Sequence, residues 1–307
     1  MGHSVVIVAL SLVGLGWSGA LPAGEPAGAT GAASALRPNS SQPNKPEQSK
    51  YLRLVRDKAG TVTALETAIV RFLPRNSDKK TPAVDLIGAV HIADHGYFEK
   101  LNREFENYDV VLYEMVAPEG TKIAPGKHNP NNPLSAMQVG MGVALGLEYQ
   151  LHVIRYDRKN FVHADMSPEG FLKSLKDRNE SLVDEALRAA GYALASKADS
   201  ATGDDFQLLL ALFDKNRARG LKRVMAKQQL EDVEGMLSAM EGPKGSTLIG
   251  ERNKAALAVL RKQLEAGKEK IAIFYGAGHM PNMAQRLSDD FNLVRSETRW
   301  LTAWDMK

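Results

Sequence analysis

Two motifs of the form Gly-x-x-His stand far apart in the chain, each at the end of an apolar stretch. The first is Gly88-Ala-Val-His91 and the second is Gly276-Ala-Gly-His279. In longer form, GAVHIADHGYFEKL and GAGHMPNMAQRL share glycine, alanine, histidine and a following apolar residue at the same positions. Each motif lies where a predicted strand gives way to a predicted helix. Open α/β sheets bind ligands outside the carboxyl ends of their strands, so both imidazoles are predicted to lie where chemistry usually occurs.

A carboxylate follows a third apolar stretch, because Glu114 comes directly after VVLY at 110–113. If the strands before His91 and Glu114 are immediate neighbours, about 4.8 Å apart, their side chains converge on one ion or one water. Two imidazoles and one carboxylate form a two-His, one-carboxylate set with open positions, which suits a divalent Mn, Fe, Co or Zn ion. We therefore expect His91, Glu114 and His279 to be metal ligands. The alternatives are hydrogen-bonded structural histidines and an exposed glutamate paired with Lys or Arg.

Further polar residues lie near these motifs in the predicted order of elements. Arg252 and Asn253 open a helix, where the guanidinium group would clamp a carboxylate or stabilise a developing oxyanion. A surface ion pair between Arg252 and Glu251 is the alternative. His163 and Asp165 point the same way if their segment is extended, just before a helix start. We expect His163, Asp165 and Asn253 to support the site from outside, or His163 and Asp165 to form a structural pair.

With these residues in view, the chain resembles the TraB/PrgY/GumN and Tiki superfamily. The pattern of that group is two Gly-x-x-His motifs, an intervening Glu, and an Arg-Asn pair upstream of the second His. The match spans most of the segment from Thr61 to Trp304, although its helical middle carries no motif. The resemblance implies an α/β sheet core with helical insertions, and catalytic roles for His91, Glu114, Arg252 and His279. Tiki members are described as divalent-metal-dependent proteases, and related branches include erythromycin esterases and haem-binding lipoproteins.

The residues and the resemblance together predict a metal-dependent hydrolase that acts on a peptide or ester bond of a peptide or small-molecule substrate. His91 and His279 would ligate the metal or share proton transfer, and Glu114 would complete the ligand set or act as general base. Arg252 would stabilise developing negative charge. The alternative is an envelope protein that binds a peptide pheromone or haem without turnover. An inert scaffold would require both histidine motifs to be accidental.

Composition and missing signatures exclude several classes of protein. Cysteine is absent, which removes disulfides, thiolate metal sites and cysteine nucleophiles. The formal net charge of +3 is too small to indicate a basic surface that binds nucleic acid. The chain has no HExxH, no Gly-x-Ser-x-Gly, no P-loop and no Rossmann glycine triplet beside its acidic partner. Ordinary zincins, serine hydrolases, nucleoside triphosphatases and dehydrogenases are therefore disfavoured.

The amino-terminal residues indicate export to the periplasm or cell envelope. An apolar run at 5–17 is followed by the small residues Ser18-Gly-Ala20, which predicts a signal peptide over 1–20. Contact with a membrane would then come only through this segment, if it stays uncleaved. Residues 21–50 are rich in Pro, Gly, Ala, Ser and Asn and predict a disordered linker.

The remaining residues, 51–307, are predicted to form one α/β domain. We expect a mixed central sheet with a βαβ unit and flanking helices, and an inserted, mainly helical subdomain at about 167–266. Asp94 and Ser167 are predicted helix caps, the second followed by a proline in the first turn. The predicted strands are 61–73, 84–91, 110–113 and 271–275, and 292–304 is predicted to be a final strand or a hairpin. The predicted helices outside the subdomain are 94–107 and 281–290. An irregular loop is expected at 121–132, followed by an apolar segment at 134–147.

Overall fold

The computed structural model describes residues 51–75, 82–118, 121, 145–181, 218–226 and 245–307. The predicted signal peptide and linker lie outside the described residues. So do most of the predicted loop, most of the apolar segment that follows it, and much of the predicted helical subdomain.

One sheet of seven strands forms the centre of the described structure. Its strands are β1 (Leu52–Arg56), β2 (Val62–Pro74), β3 (Ala83–Ala89), β5 (Val110–Tyr113), β7 (Phe161–His163), β8 (Lys270–Gly276) and β9 (Leu293–Asp305). The short strands β4 (Ile92–Ala93) and β6 (Glu148–Tyr149) pair with each other outside this sheet. The sheet order is β1-β2-β3-β8-β5-β7, and β9 pairs with β2. The predicted mixed α/β fold is therefore confirmed.

The sheet has an antiparallel part and a parallel part. Strands β1, β3 and β9 all run antiparallel to β2. Strands β3, β8, β5 and β7 are parallel. The strands before His91 and Glu114 are not immediate neighbours, because β8 lies between them and pairs with both. All three strands nevertheless end at the same edge of the sheet.

Helices and single turns connect the strands. The helices are α1 (His95–Glu104), α2 (Gln150–Val153), α3 (Pro168–Asp177), α4 (Arg252–Glu265) and α5 (Met280–Phe291), and residues 218–226 are also helical. No helix of the described ranges combines the length and the apolarity that a membrane span requires. Within the predicted helical subdomain, the described stretches are mainly helical, and its extent stays a prediction.

The two predicted helix caps, Asp94 and Ser167, make different hydrogen bonds. Ser167 caps α3 as predicted, because its hydroxyl accepts a hydrogen bond from the Gly170 N–H at 3.1 Å. Asp94 lies at the start of α1 but makes no side-chain cap there. Its carboxylate accepts instead from Lys222 Nζ at 2.6 Å and from the Asp305 N–H at 2.5 Å. Asp94 therefore ties α1 to the helical residues 218–226 and to the end of β9.

Both faces of the sheet are covered, which follows from the alternation of side chains along buried strands. Ile87 of β3 and Phe274 of β8 belong to the apolar cluster on the side of α1. Their neighbours Leu86 and Ile273 belong to the opposite cluster, with α4 and α5. Helix α4 thus packs against the sheet core, and its first residues come to lie at the carboxyl edge of the parallel strands.

Candidate functional site

The carboxyl edge of the parallel strands brings together residues from distant parts of the sequence. Glu114 follows β5, and its N–H continues the strand pairing by donating to the Phe274 carbonyl at 3.2 Å. His279 ends a single 3-10 turn (Ala277–His279) that follows β8. The Nε2 atom of His279 lies 3.4 Å from Oε1 of Glu114. The predicted meeting of the second histidine motif and the glutamate is therefore observed.

Glu114 is held by partners on both carboxylate oxygens. Its Oε2 accepts a hydrogen bond from the Gly276 N–H at 2.7 Å, so the first residue of the second motif binds the glutamate through its backbone. Its Oε1 accepts from Nη2 of Arg252 at 2.7 Å. The residue is only 8% exposed. These contacts fix the position of the carboxylate beside His279.

Arg252 lies fully buried at the start of α4, immediately after a π-helical turn, Thr247–Glu251. Its Nε and Nη2 atoms donate to the two carboxylate oxygens of Asp165 at 3.0 and 2.6 Å, in addition to the contact with Glu114. Nη1 of Arg252 has no hydrogen-bond partner in the part of the chain that the structure describes. The surface pair with Glu251 is not formed, since that glutamate binds Lys254 at 2.8 Å. Arg252 is thus an internal clamp between two carboxylates.

Asn253, the next residue of α4, contacts His279 twice. Its Nδ2 donates to the His279 carbonyl at 3.1 Å, so its Oδ1 faces the imidazole ring. This Oδ1 lies 2.7 Å from Nδ1 of His279. An amide oxygen only accepts hydrogen bonds, so Nδ1 of His279 carries the proton and donates it. The other ring nitrogen, Nε2, is thereby directed to Glu114 without a proton when the ring is neutral.

The charges around Glu114 keep it ionised. Burial by itself would raise the pKa of Glu114, but the positive charges of His279 and Arg252, and that of His91, hold this pKa well below its usual range. The contribution of His91 shows that the first motif lies within electrostatic reach of the carboxylate. Glu114 is therefore an anion at neutral pH.

His91 lies partly exposed between β3 and β4. Its carbonyl accepts a hydrogen bond from the Gln150 N–H at 2.8 Å, next to the pairing of β4 with β6. Among the described residues, no group of three or more His, Asp or Glu side chains is arranged to hold a metal ion. The three-ligand set of His91, Glu114 and His279 therefore stays a prediction.

His163, the last residue of β7, and Asp165, just after that strand, have different partners in the structure. Asp165 binds Arg252 and belongs to the charged cluster. His163 instead lies 2.6 Å, through its Nε2, from the carbonyl oxygen of Met115, the residue after Glu114. His163 therefore holds the backbone next to Glu114.

Two of the tyrosines near the glutamate, Tyr149 and Tyr156, were not predicted from the sequence. Burial and the nearby charge of Glu114 together raise the pKa of Tyr149 to about 12. Burial and the Glu114 charge also raise the pKa of Tyr156. Both residues come from an irregular stretch, where hydrophobic periodicity gives no indication of position. Tyr275 precedes the second motif and packs its ring against His279, with 5.2 Å between the ring centroids.

Comparisons with known proteins add no relative: no protein-family model matches the chain, and no curated protein or solved structure matches it significantly. The resemblance to the TraB/PrgY/GumN and Tiki superfamily therefore stays a prediction from the motifs.

Proposed function

We propose that the chain is a hydrolase of peptide or ester bonds, related to the TraB/PrgY/GumN and Tiki superfamily, with His279 and Glu114 at the centre of its active site. The observation that supports this proposal is the 3.4 Å approach of His279 Nε2 to the buried Glu114 carboxylate. A histidine oriented on one nitrogen and facing an anion on the other has the arrangement expected of an acid–base group.

The position of the ring proton decides what His279 can do. With the proton on Nδ1, the lone pair of Nε2 faces an ionised carboxylate oxygen 3.4 Å away. Two acceptors at this distance repel each other unless a proton or a metal cation lies between them. A proton or a divalent cation at Nε2 would remove this repulsion, so the position of Nε2 suits a general base or a metal ligand.

In this proposal each residue of the site has its own role in hydrolysis. When Nε2 binds no metal ion, His279 accepts a proton there from the attacking water and passes it to the leaving group as the scissile bond breaks, while Glu114 stabilises the imidazolium ion formed in between. Arg252 holds Glu114 and Asp165 in place. Its permanent positive charge stabilises the negative charge that develops on the substrate.

The donor atoms also suit the predicted divalent metal. Imidazole nitrogen and carboxylate oxygen are ligands for Mn, Co, Fe and Zn, and His279 has the outer hydrogen bond from Nδ1 that metal-bound histidines usually make. His279 and Glu114 would bind the ion, and the partly exposed His91 would be the third ligand. A bound divalent cation would supply Lewis-acid polarisation of the scissile carbonyl. We include metal dependence in the proposal.

Hydrolysis assays on the purified full chain test the proposal. Fluorogenic peptides and nitrophenyl esters are offered to protein treated with a chelator and then supplied with Mn, Co, Fe or Zn. We expect metal-stimulated turnover, and a loss of kcat of about 10²- to 10⁴-fold in Glu114→Gln and His279→Gln. His95→Gln is the matched control, because the His95 side chain is 61% exposed and pairs with Glu148 outside the cluster. It should keep the full rate.

The possible results separate the alternatives. Turnover that persists in His279→Gln, or absence of turnover with every substrate and metal, contradicts the proposal. Stoichiometric binding of haem or of a peptide without turnover would favour the non-catalytic alternative. Equal metal content in the native chain and in a His91→Ala, His279→Ala double variant would contradict metal binding by these histidines. The hydrolysis assays would then test the acid–base role of His279 alone.

A further inference from the structure

Behind Asn253 lie two polar residues of α5 that the site described so far does not include. Asn282 and Arg286 are one helical turn apart. Nδ2 of Asn253 donates to Oδ1 of Asn282 at 3.0 Å. The same Oδ1 accepts from Nε of Arg286 at 2.9 Å. A continuous row of hydrogen bonds therefore leads from Arg286 through both asparagines to the ring of His279.

Each bond in this row has only one possible direction. The guanidinium group of Arg286 can only donate, so the Asn282 atom that faces it is the oxygen. This oxygen and the His279 carbonyl are both acceptors, so the Asn253 atom that faces them is the NH2 group, and its two hydrogens are both used. The Asn253 oxygen is left to face Nδ1 of His279. The order of donors and acceptors fixes the ring proton of His279 on Nδ1.

We propose that Asn282 and Arg286 are positioning residues that fix the amide of Asn253 and thereby keep the ring proton of His279 on Nδ1. Neither residue touches Glu114 in this arrangement; both act through Asn253. Their importance for catalysis rests on the proposed hydrolytic role of His279, whereas their effect on the ring proton does not.

A reversed amide at Asn253 would change the chemistry of the site. Its NH2 group would then face Nδ1 of His279, which would have to accept the hydrogen bond. The ring proton would move to Nε2 and donate to Glu114, so the neutral ring would no longer offer a base at that nitrogen. The two α5 residues therefore oppose the form of His279 that cannot accept a proton from water.

The experiment measures this tautomer directly by NMR of the full chain with ¹⁵N-labelled histidine rings. The His279 signals are assigned by their absence in His279→Gln. Asn282→Leu removes the acceptor, and Arg286→Met removes the donor that orients it. Asn282→Asp is the conservative variant, because a carboxylate still accepts from Arg286 and from Asn253. The ring signals of His95 and His163 report whether each variant keeps the native fold.

We expect native protein and Asn282→Asp to show the Nδ1-protonated form. In Asn282→Leu and Arg286→Met the share of the Nε2-protonated form should rise about fivefold, as expected for the loss of one hydrogen bond. On an identified substrate, these two variants should lower kcat with KM unchanged. Should Asn282→Leu fail to fold, Arg286→Met and Asn282→Asp carry the comparison.

Unchanged His279 signals in a folded Arg286→Met variant, or equal changes in Asn282→Asp and Asn282→Leu, would overturn the inference. The measurement needs no substrate, so its failure is distinct from a failure of the proposed hydrolase activity.

Discussion

Arg252 and its two carboxylate partners are the most deeply buried charges of the site. The exposed fraction of the side chain is 0% for Arg252, 5% for Glu114 and 0% for Asp165. Charges removed from water are stable in a protein interior only while they are paired and hydrogen-bonded. The three residues therefore act as one unit, in which no charge can be removed without cost to the others.

The loss of one partner should be costly. Asp165→Asn leaves Arg252 with a single carboxylate, and we expect the free energy of unfolding to fall by about 3 kcal/mol. Asp177→Asn is the control, because it breaks an exposed pair with Lys173 on α3 and should cost about 0.5 kcal/mol or less. Urea unfolding of both variants measures the difference. Equal losses would show that the buried cluster does not act as a unit.

For single residues, the sequence predicted which residues lie near one another better than it predicted the contacts between them. The positions of Glu114 and His279 at strand ends followed from the two motifs and the apolar runs before them. The bond from the Gly276 N–H to Glu114 was not predictable, because it depends on how far β5 and β8 extend past each other. The role of Asn282 depends on which face of α5 meets α4, and one helix pattern alone does not contain that information.

Strand β8 is the element that assembles the site. It pairs with both β3 and β5, so the ends of all three strands meet at one edge. The apolar run at 271–275 predicted a buried strand, but not its neighbours, since strand order depends on contacts between distant segments. The sequence analysis considered direct pairing of the strands before His91 and Glu114, whereas β8 lies between them.

Asp109, just before β5, holds the start of β8. Its Oδ2 accepts hydrogen bonds from the N–H groups of Lys270 and Glu269, each at 2.9 Å. These backbone donors lower the pKa of Asp109 from its usual value of 3.8. Asp109 is exposed, so these hydrogen bonds stabilise the fold only modestly. The pH dependence of the stabilisation is therefore a better test than its size.

The pKa of Asp109 is lowered in the folded chain, so its ionised carboxylate stabilises the fold above pH 3.8, and this contribution disappears as the pH falls through the lowered pKa. We therefore expect Asp109→Asn to be less stable than the native chain at neutral pH. The difference should shrink once the pH drops below 3.8. Urea midpoints across this pH range measure it. A difference that stays constant to the lowest pH would contradict the assigned role.

Across the whole molecule, the site is assembled from five separate stretches that end at one rim of the sheet. The mixed sheet with flanking helices was predicted from apolar periodicity, and the structure confirms it. The predicted helical subdomain includes the Arg252-Asn253 pair, and much of the rest of it lies outside the described residues. Its relation to the site could not be derived from periodicity, which reports a buried face but not the surface that it meets.

The predicted export gives a test at the level of the full chain. Expressed in a Gram-negative host, the protein should be found in the periplasm and begin near Leu21, after removal of the predicted signal peptide over 1–20. Placing an arginine at Leu10, in the middle of the apolar run, should keep the chain in the cytoplasm. Cell fractionation measures where the protein is found, and its intact mass shows whether the segment 1–20 has been removed. Uncleaved native protein in the cytoplasm would contradict the prediction.

The claim on which the account depends is that two histidines far apart in sequence serve one reaction. A double-mutant cycle on kcat/KM with His91→Gln and His279→Gln tests it most directly, using the best substrate of the hydrolysis panel. Residues that act as a unit are strongly non-additive. We predict that the double variant is about as slow as the slower single variant. Independent effects that multiply in the double variant would contradict a shared active site.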